Sequence, residues 1–358
     1  MTEKTIKSEG VRKYLGLQIL RITAACMVLL EHSGFYVSER LDTHFIYWRA
    51  GAKGVDIFFV LSGFVMIYSS AKLMNDSSGW KIFAERRIVR IVPIYWIATS
   101  IKVIALLLST SYILHTQFSV VKAIESYLFL PAFNVEGHIA PVLAVGWTLN
   151  FEMFFYFLFT LALFLRVSVY KFVGGVLAVL SLGAIFRQDN WPAASFYLNP
   201  IILEFFYGMV IARICLSGKH IPKYFALPLL ALGFLGLLAS WPLSMQALHL
   251  LQGISAALIV YSMASMEDSL TRIPRFVLYL ADASYVIYLY HQFIGPVVPI
   301  ALMKLHLASP WLSIAGSVIL SLGAGCLIHQ LIEAPITKWF RNHLLVGGKK
   351  VIHPVATV

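Results

Sequence analysis

The stretch Leu20-Arg21-Ile22-Thr23-Ala24-Ala25-Cys26-Met27-Val28-Leu29-Leu30-Glu31-His32 decides how the rest of the chain is read. It lies within an apolar run over 17–37, about the length a bilayer-spanning helix needs. Yet it carries a guanidinium and an imidazole. Arg21 and His32 are eleven positions apart, close to three full turns, so both face the same way, about 16 Å apart along the axis. Ala25 and Val28 lie near that stripe and put little bulk between them. Polar groups in hydrocarbon are costly, so such a pair needs either partners on neighbouring helices or a chemical task.

The rest of the chain agrees with a membrane setting. Of 358 residues, 59% are hydrophobic and 13% charged, and the mean hydropathy is +0.79. These values indicate an all-α, polytopic integral membrane protein. Ten apolar runs are long enough to be spans: 17–37, 54–71, 91–110, 143–165, 171–186, 198–216, 224–241, 245–265, 283–303 and 309–332. The second and fifth are short. The N-terminus is polar through Lys13, and no cleavable leader is evident. Neither an internal repeat nor an extra-membrane domain is visible. Cys26, Cys215 and Cys326 fall in apolar runs and read as small buried hydrophobes, with no metal-ligand spacing.

The net charge of +11 comes from cations gathered at helix ends. Twenty of the 28 Lys and Arg residues fall in connections on one side and six in those on the other, with Arg21 and Lys102 inside spans. The positive-inside pattern then puts both termini in the cytoplasm. No basic face with interleaved aromatics stands clear of the membrane, so a nucleic-acid partner is not expected. With this orientation Arg21 sits toward the cytoplasmic end of its helix, and His32 lies past the midplane. The expected organisation is a cytoplasmic tail 1–16, a transmembrane domain 17–335 and a cytoplasmic tail 336–358.

Further polar groups recur within spans. Asp56 opens the second run, Gly54–Phe64, where a carboxylate suits the helix dipole; it enters at the depth of His32 and could instead orient that ring. Ser62 and Gly63 allow a close helix neighbour. Arg87 and Arg90 are i and i+3 on one helix face. They serve either topology and lipid phosphates or a dedicated phosphate clamp, for which the fork of Arg donors is suited. Glu152 lies deep in the block from Gly146 through Trp147 to Tyr156, for pairing with an Arg or for handling a proton. Glu204 lies in the sixth run. Ser284, Tyr288 and His291 fall on one stripe of the ninth. An amphipathic piece over 124–130 precedes Pro131, His115 and His138 read as solvated loop histidines, and Glu333 precedes a helix-limiting Pro335.

Six of these blocks together, in order, resemble the membrane-bound acyltransferase-3 family: Arg21 with His32, Gly54–Phe64, Arg87 with Arg90, Trp147–Tyr156, Ser284–His291 and Glu333-Ala334-Pro335. The wording of Gly54–Met66 and Gly146–Tyr156 looks most like stand-alone bacterial exopolysaccharide acetyltransferases of the succinoglycan type. The resemblance implies ten helices in a bacterial inner membrane. It also implies transfer of an acyl group, commonly acetyl from acetyl-CoA as donor substrate, to a sugar hydroxyl of a glycan or a lipid-linked sugar. No bound cofactor and no metal are implied.

Acyl transfer needs a base, an oxyanion site and a dry pocket. His32 is the expected base, or a transient acyl carrier, with Asp56 or Glu152 fixing its tautomer. Arg21, Arg87 and Arg90 would hold acyl-CoA, and Trp147, Ser62, Tyr288 and His291 would complete the pocket. The competing class is a transporter or exporter, which also predicts many spans and buried charges but commonly shows repeated halves.

Overall fold

The computed structural model describes residues 14–108, 119–134, 137, 139–188, 190–270, 272–307 and 309–343. His115, His138 and most of both expected tails lie outside them. Among the described residues there is no strand, only an isolated bridge between Phe133 and Ile139. The helices are α1 (Leu15–Arg40), α2 (Gly54–Ser70), α3 (Gly79–Leu108), α4 (Val120–Tyr127), α5 (Trp147–Phe164), α6 (Val169–Gly183) and α7 (Leu203–Leu216). They continue with α8 (Lys223–Leu238), α9 (Met245–Ser265), α10 (Arg275–Ile294), α11 (Val297–Lys304), α12 (Pro310–Ile328) and α13 (Ala334–His343).

Eight helical stretches among these residues are long and apolar enough to cross a bilayer. They correspond to eight of the ten expected runs, including the two that looked short. The sixth and seventh runs instead form the shorter helices α7 and α8. Large apolar side chains such as Leu107, Val179, Leu235 and Ile319 remain exposed around the bundle. That surface is what a multi-pass membrane protein presents to lipid.

Three boundaries differ from expectation for physical reasons. The third helix starts at Gly79 rather than near 91, so Arg86, Arg87 and Arg90 are helical residues and not part of a connection. Hydropathy underestimates that helix because its first three turns carry Lys81, Glu85, Arg86 and Arg87 among their apolar residues. The amphipathic helix in the connection after α3 is α4, and Ser119 caps it by accepting from the Lys122 amide. Pro335 does not end its helix. A π-helical turn over His329–Glu333 immediately precedes α13. Such a turn widens the backbone and relieves the clash and missing donor that proline brings.

Packing of α2 on α7 is set by two glycines. A Cβ on Gly63 would stand 1.9 Å from the Phe205 carbonyl oxygen, and one on Gly208 would stand 2.0 Å from that of Val60. The two backbones therefore touch, as small residues permit in membranes, where close van der Waals packing drives helix association. Asp56 is seven residues before Gly63 and Glu204 four before Gly208, so both lie on the touching faces. Their carboxyl groups accordingly face each other. At the start of α1, the orphan amides of Leu15 and Gly16 donate to the Glu267 carboxylate at 2.7 and 3.0 Å. That carboxylate also complements the helix dipole.

Candidate active site

Helices α1 and α10 lie side by side, and their two polar stripes meet. Arg21 is 4% exposed. It donates through Nη2 to Ser284 Oγ at 3.0 Å and through Nη1 to Gln18 Oε1 at 3.4 Å. Further along both helices, the rings of His32 and His291 meet edge to face with centroids 4.9 Å apart. Ser284 and His291 are seven positions apart, two helical turns, which keeps them on the face that follows α1.

The imidazoles are set by their neighbours. His32 Nδ1 lies 3.1 Å from the Val28 carbonyl oxygen and 2.8 Å from Glu31 Oε2. Both are acceptors, so the proton belongs on Nδ1 and the lone pair on Nε2. His291 is 2% exposed. Its Nδ1 donates to the Tyr288 carbonyl at 2.5 Å, and its Nε2 is buried with no hydrogen-bond partner.

Two cavities flank this region. The first, about 110 Å³, is lined by Arg21, Arg87, Arg90, Ser62, Glu152 and Tyr156, among others. Ser62 Oγ donates to Glu152 Oε1 at 3.0 Å, and the Tyr156 hydroxyl donates to the same oxygen. The Arg87 guanidinium lies over the Phe83 ring at 5.7 Å, and its buried Nε has no hydrogen-bond partner. Arg90 is engaged differently. It forms an ion pair with Glu333, which His329 also contacts at 2.5 Å, and it lies 5.5 Å over the Tyr285 ring.

The second cavity is larger, about 510 Å³, and His32, Tyr36, Trp147 and Gln292 are among the residues on its wall. That volume is typical of small-molecule sites. Between the two lies a small polar cluster. The Tyr288 hydroxyl meets Thr148 Oγ1 at 3.1 Å and donates to the Val145 carbonyl at 3.3 Å. Tyr288 and Thr148 line the first cavity, and Val145 lines the second.

The structure thus brings Arg21, Arg87, Arg90, Ser62, Glu152 and Tyr288 to one cavity, and His32 and Trp147 to the other. His291 packs against His32 between α10 and α1. Two expected contacts are replaced. Glu152 is held by Ser62 and Tyr156, and Asp56 faces Glu204, because their helix faces point to other neighbours. The carboxylate at His32 is Glu31, its neighbour in the chain. Tyr156 was legible as the i+4 partner of Glu152. The pairing of Thr148 with Tyr288 joins residues 140 positions apart and had no local signal.

Comparison with known proteins identifies the family. The acyltransferase-3 profile, an acyltransferase domain, matches residues 14–343. The exopolysaccharide production protein ExoZ of Rhizobium meliloti (strain 1021) is 32% identical over 321 residues, which cover 88% of this chain and 97% of that protein. No solved structure matches the chain. A transporter reading gives way to an enzyme, and the chain belongs to the acyltransferase-3 family of membrane acyltransferases.

Proposed function

We propose that this enzyme moves an acetyl group from acetyl-CoA to a hydroxyl of a cell-surface or exported polysaccharide, or of its lipid-linked precursor. The observation that carries this reading is the placement of one helix between two cavities. Arg21 of α1 lines the arginine-rich cavity, and His32, on the same stripe, lines the larger one. We take the arginine end, both chain termini and the tails 1–16 and 336–358 to be cytoplasmic. The domain 17–335 then crosses the bacterial inner membrane.

Acyl-CoA is a phosphate-rich donor made where the arginines are. Arg87, with an unsatisfied Nε, and Arg21 would take its phosphates, since Arg matches phosphate oxygens. The first cavity is too small for the nucleotide and suits a slender arm. That arm would carry the thioester toward the Tyr288–Thr148 cluster, which must part to let the acyl carbon reach His32.

At that point the sugar hydroxyl gives its proton to His32 Nε2 as its oxygen attacks the acyl carbon. The new C–O bond forms as the C–S bond breaks, and the imidazolium returns the proton to the departing thiolate. Glu31 and the Val28 carbonyl hold Nδ1–H and stabilise the imidazolium, the role of the third member in triads. A base of this kind contributes about 10²–10⁴-fold. ExoZ is named for exopolysaccharide production, which supports a glycan acceptor here.

The test is incubation of membranes containing the protein with radiolabelled acetyl-CoA, followed by analysis of the glycan. Label in the glycan, released by mild base as acetate, is the expected result. Label that appears only in protein or lipid lacking sugar would overturn the acceptor class.

A further inference from the structure

Lys102 has no place in the reaction so far. It lies within the span of α3, short of its end at Leu108, where a cation needs a reason. It is on the wall of the 510 Å³ cavity, together with Arg40 from the last turn of α1 and Lys122 from α4. Three helices therefore deliver three cations to one concave surface. Glu39 is the carboxylate among the described residues on that wall. The neighbouring charge that bears on Lys102 is that of Arg40, which has the same sign. Arg40 alone is accounted for by the helix C-terminus it occupies. Lys102 is not at a helix end, and its ammonium is a compact charge that suits a single anionic group.

The same wall carries the aromatic residues Tyr36, Trp147 and Phe293. Aromatic rings with a polar rim suit an amphipathic ligand such as a sugar. His32 is on this wall too, so whatever binds here lies beside the proposed base.

We propose that the second cavity is built for an anionic glycan, whose carboxylate or phosphate is held by Lys102, Arg40 and Lys122 while a neighbouring hydroxyl faces His32. This rests on the reading of that cavity as the acceptor site. The anion can come from an acidic sugar within the glycan or from the diphosphate of a lipid carrier, and both present the same charged oxygens.

The test uses the full chain in nanodiscs of zwitterionic lipid and three fluorescent probes. These are a neutral glucose tetrasaccharide, the same tetrasaccharide with one glucuronate, and a polyprenyl-diphosphate-linked glucose disaccharide. Equilibrium binding should favour at least one charged probe over the neutral one by about tenfold. The advantage should shrink as salt rises, as screening requires. Lys102→Gln should lower the charged-to-neutral ratio severalfold, and Lys102→Arg should largely restore it. The charged probe that gains names the source of the anion.

Equal binding of all three probes, binding of none, or a Lys102→Gln ratio equal to wild type would overturn the inference. Acetyl transfer is measured on the same samples. Transfer with no preference for charge removes the anion site and keeps the enzyme reading. Charge-selective binding without transfer to any probe keeps the anion site and removes its role as acceptor site.

Discussion

Arg87 and Arg90 look equivalent in the sequence, yet their surroundings differ enough that Arg87→Ala and Arg90→Ala should fail in different ways. Arg87 lines the smaller cavity with an unsatisfied Nε. A charge-assisted hydrogen bond to a phosphate contributes about 1.5–3 kcal/mol, and 1.4 kcal/mol is tenfold in affinity. Arg87→Ala should therefore weaken acetyl-CoA binding by about ten- to a hundredfold with little loss of folded protein. Arg90 neutralises Glu333, which is 1% exposed. Removing one partner of a buried pair costs about 3–5 kcal/mol. His329 still contacts Glu333, which argues for the lower end. Arg90→Ala should thus act mainly on stability, and Arg90→Ala with Glu333→Gln should recover much of it. The assay is thermal unfolding of purified protein alongside the acetyl-CoA dependence of transfer. An Arg90→Ala protein as stable as wild type, with a KM raised as much as in Arg87→Ala, would refute the distinction.

Three further outcomes follow from the same geometry. Gly208→Ala puts a methyl group against the Val60 carbonyl; overpacking of this kind costs about 1–3 kcal/mol, and a lowered unfolding midpoint in detergent checks it. Glu31→Gln removes the charge beside His32 but leaves the Val28 carbonyl to hold the tautomer. The turnover rate should fall by about 10–100-fold, short of the roughly 10⁴-fold seen when a triad loses its orienting acid, with an unchanged KM for acetyl-CoA. A cysteine replacing Ser78, in the connection before α3, should react with an impermeant thiol reagent only after the cells are opened; labelling of intact cells would reverse the topology.

Much of the site was legible because membrane helices expose their reasons. A cation and an imidazole on one stripe of an apolar helix stand out, and Ser284, Tyr288 and His291 repeat the pattern on α10. Helical spacing alone predicts both stripes, but not that they face each other. What spacing cannot carry is the identity of partners distant in the chain. Asp56 was readable as polar and early in its helix. Its pairing with Glu204 follows only from the two glycines that bring α2 onto α7. Glu267 looks like a loop carboxylate until the N-terminus of α1 arrives beside it. Pro335 reads as a stop because proline usually is one, and a π-helical turn is not encoded in hydropathy. Lys102 was visible as an in-span cation, but the cavity it shares with Arg40 and Lys122 was not.

His32 is the proposed base, and His32→Gln tests that role most directly. Glutamine preserves approximate volume and hydrogen bonding but cannot accept and return a proton. Initial rates of acetyl transfer to the glycan are measured with the variant in nanodiscs, with acetyl-CoA binding and thermal unfolding measured on the same samples. The predicted result is a rate about 10²–10⁴-fold below wild type, with folding and acetyl-CoA binding retained. A rate near wild type would contradict the mechanism and return the Arg21–His32 stripe to helix packing.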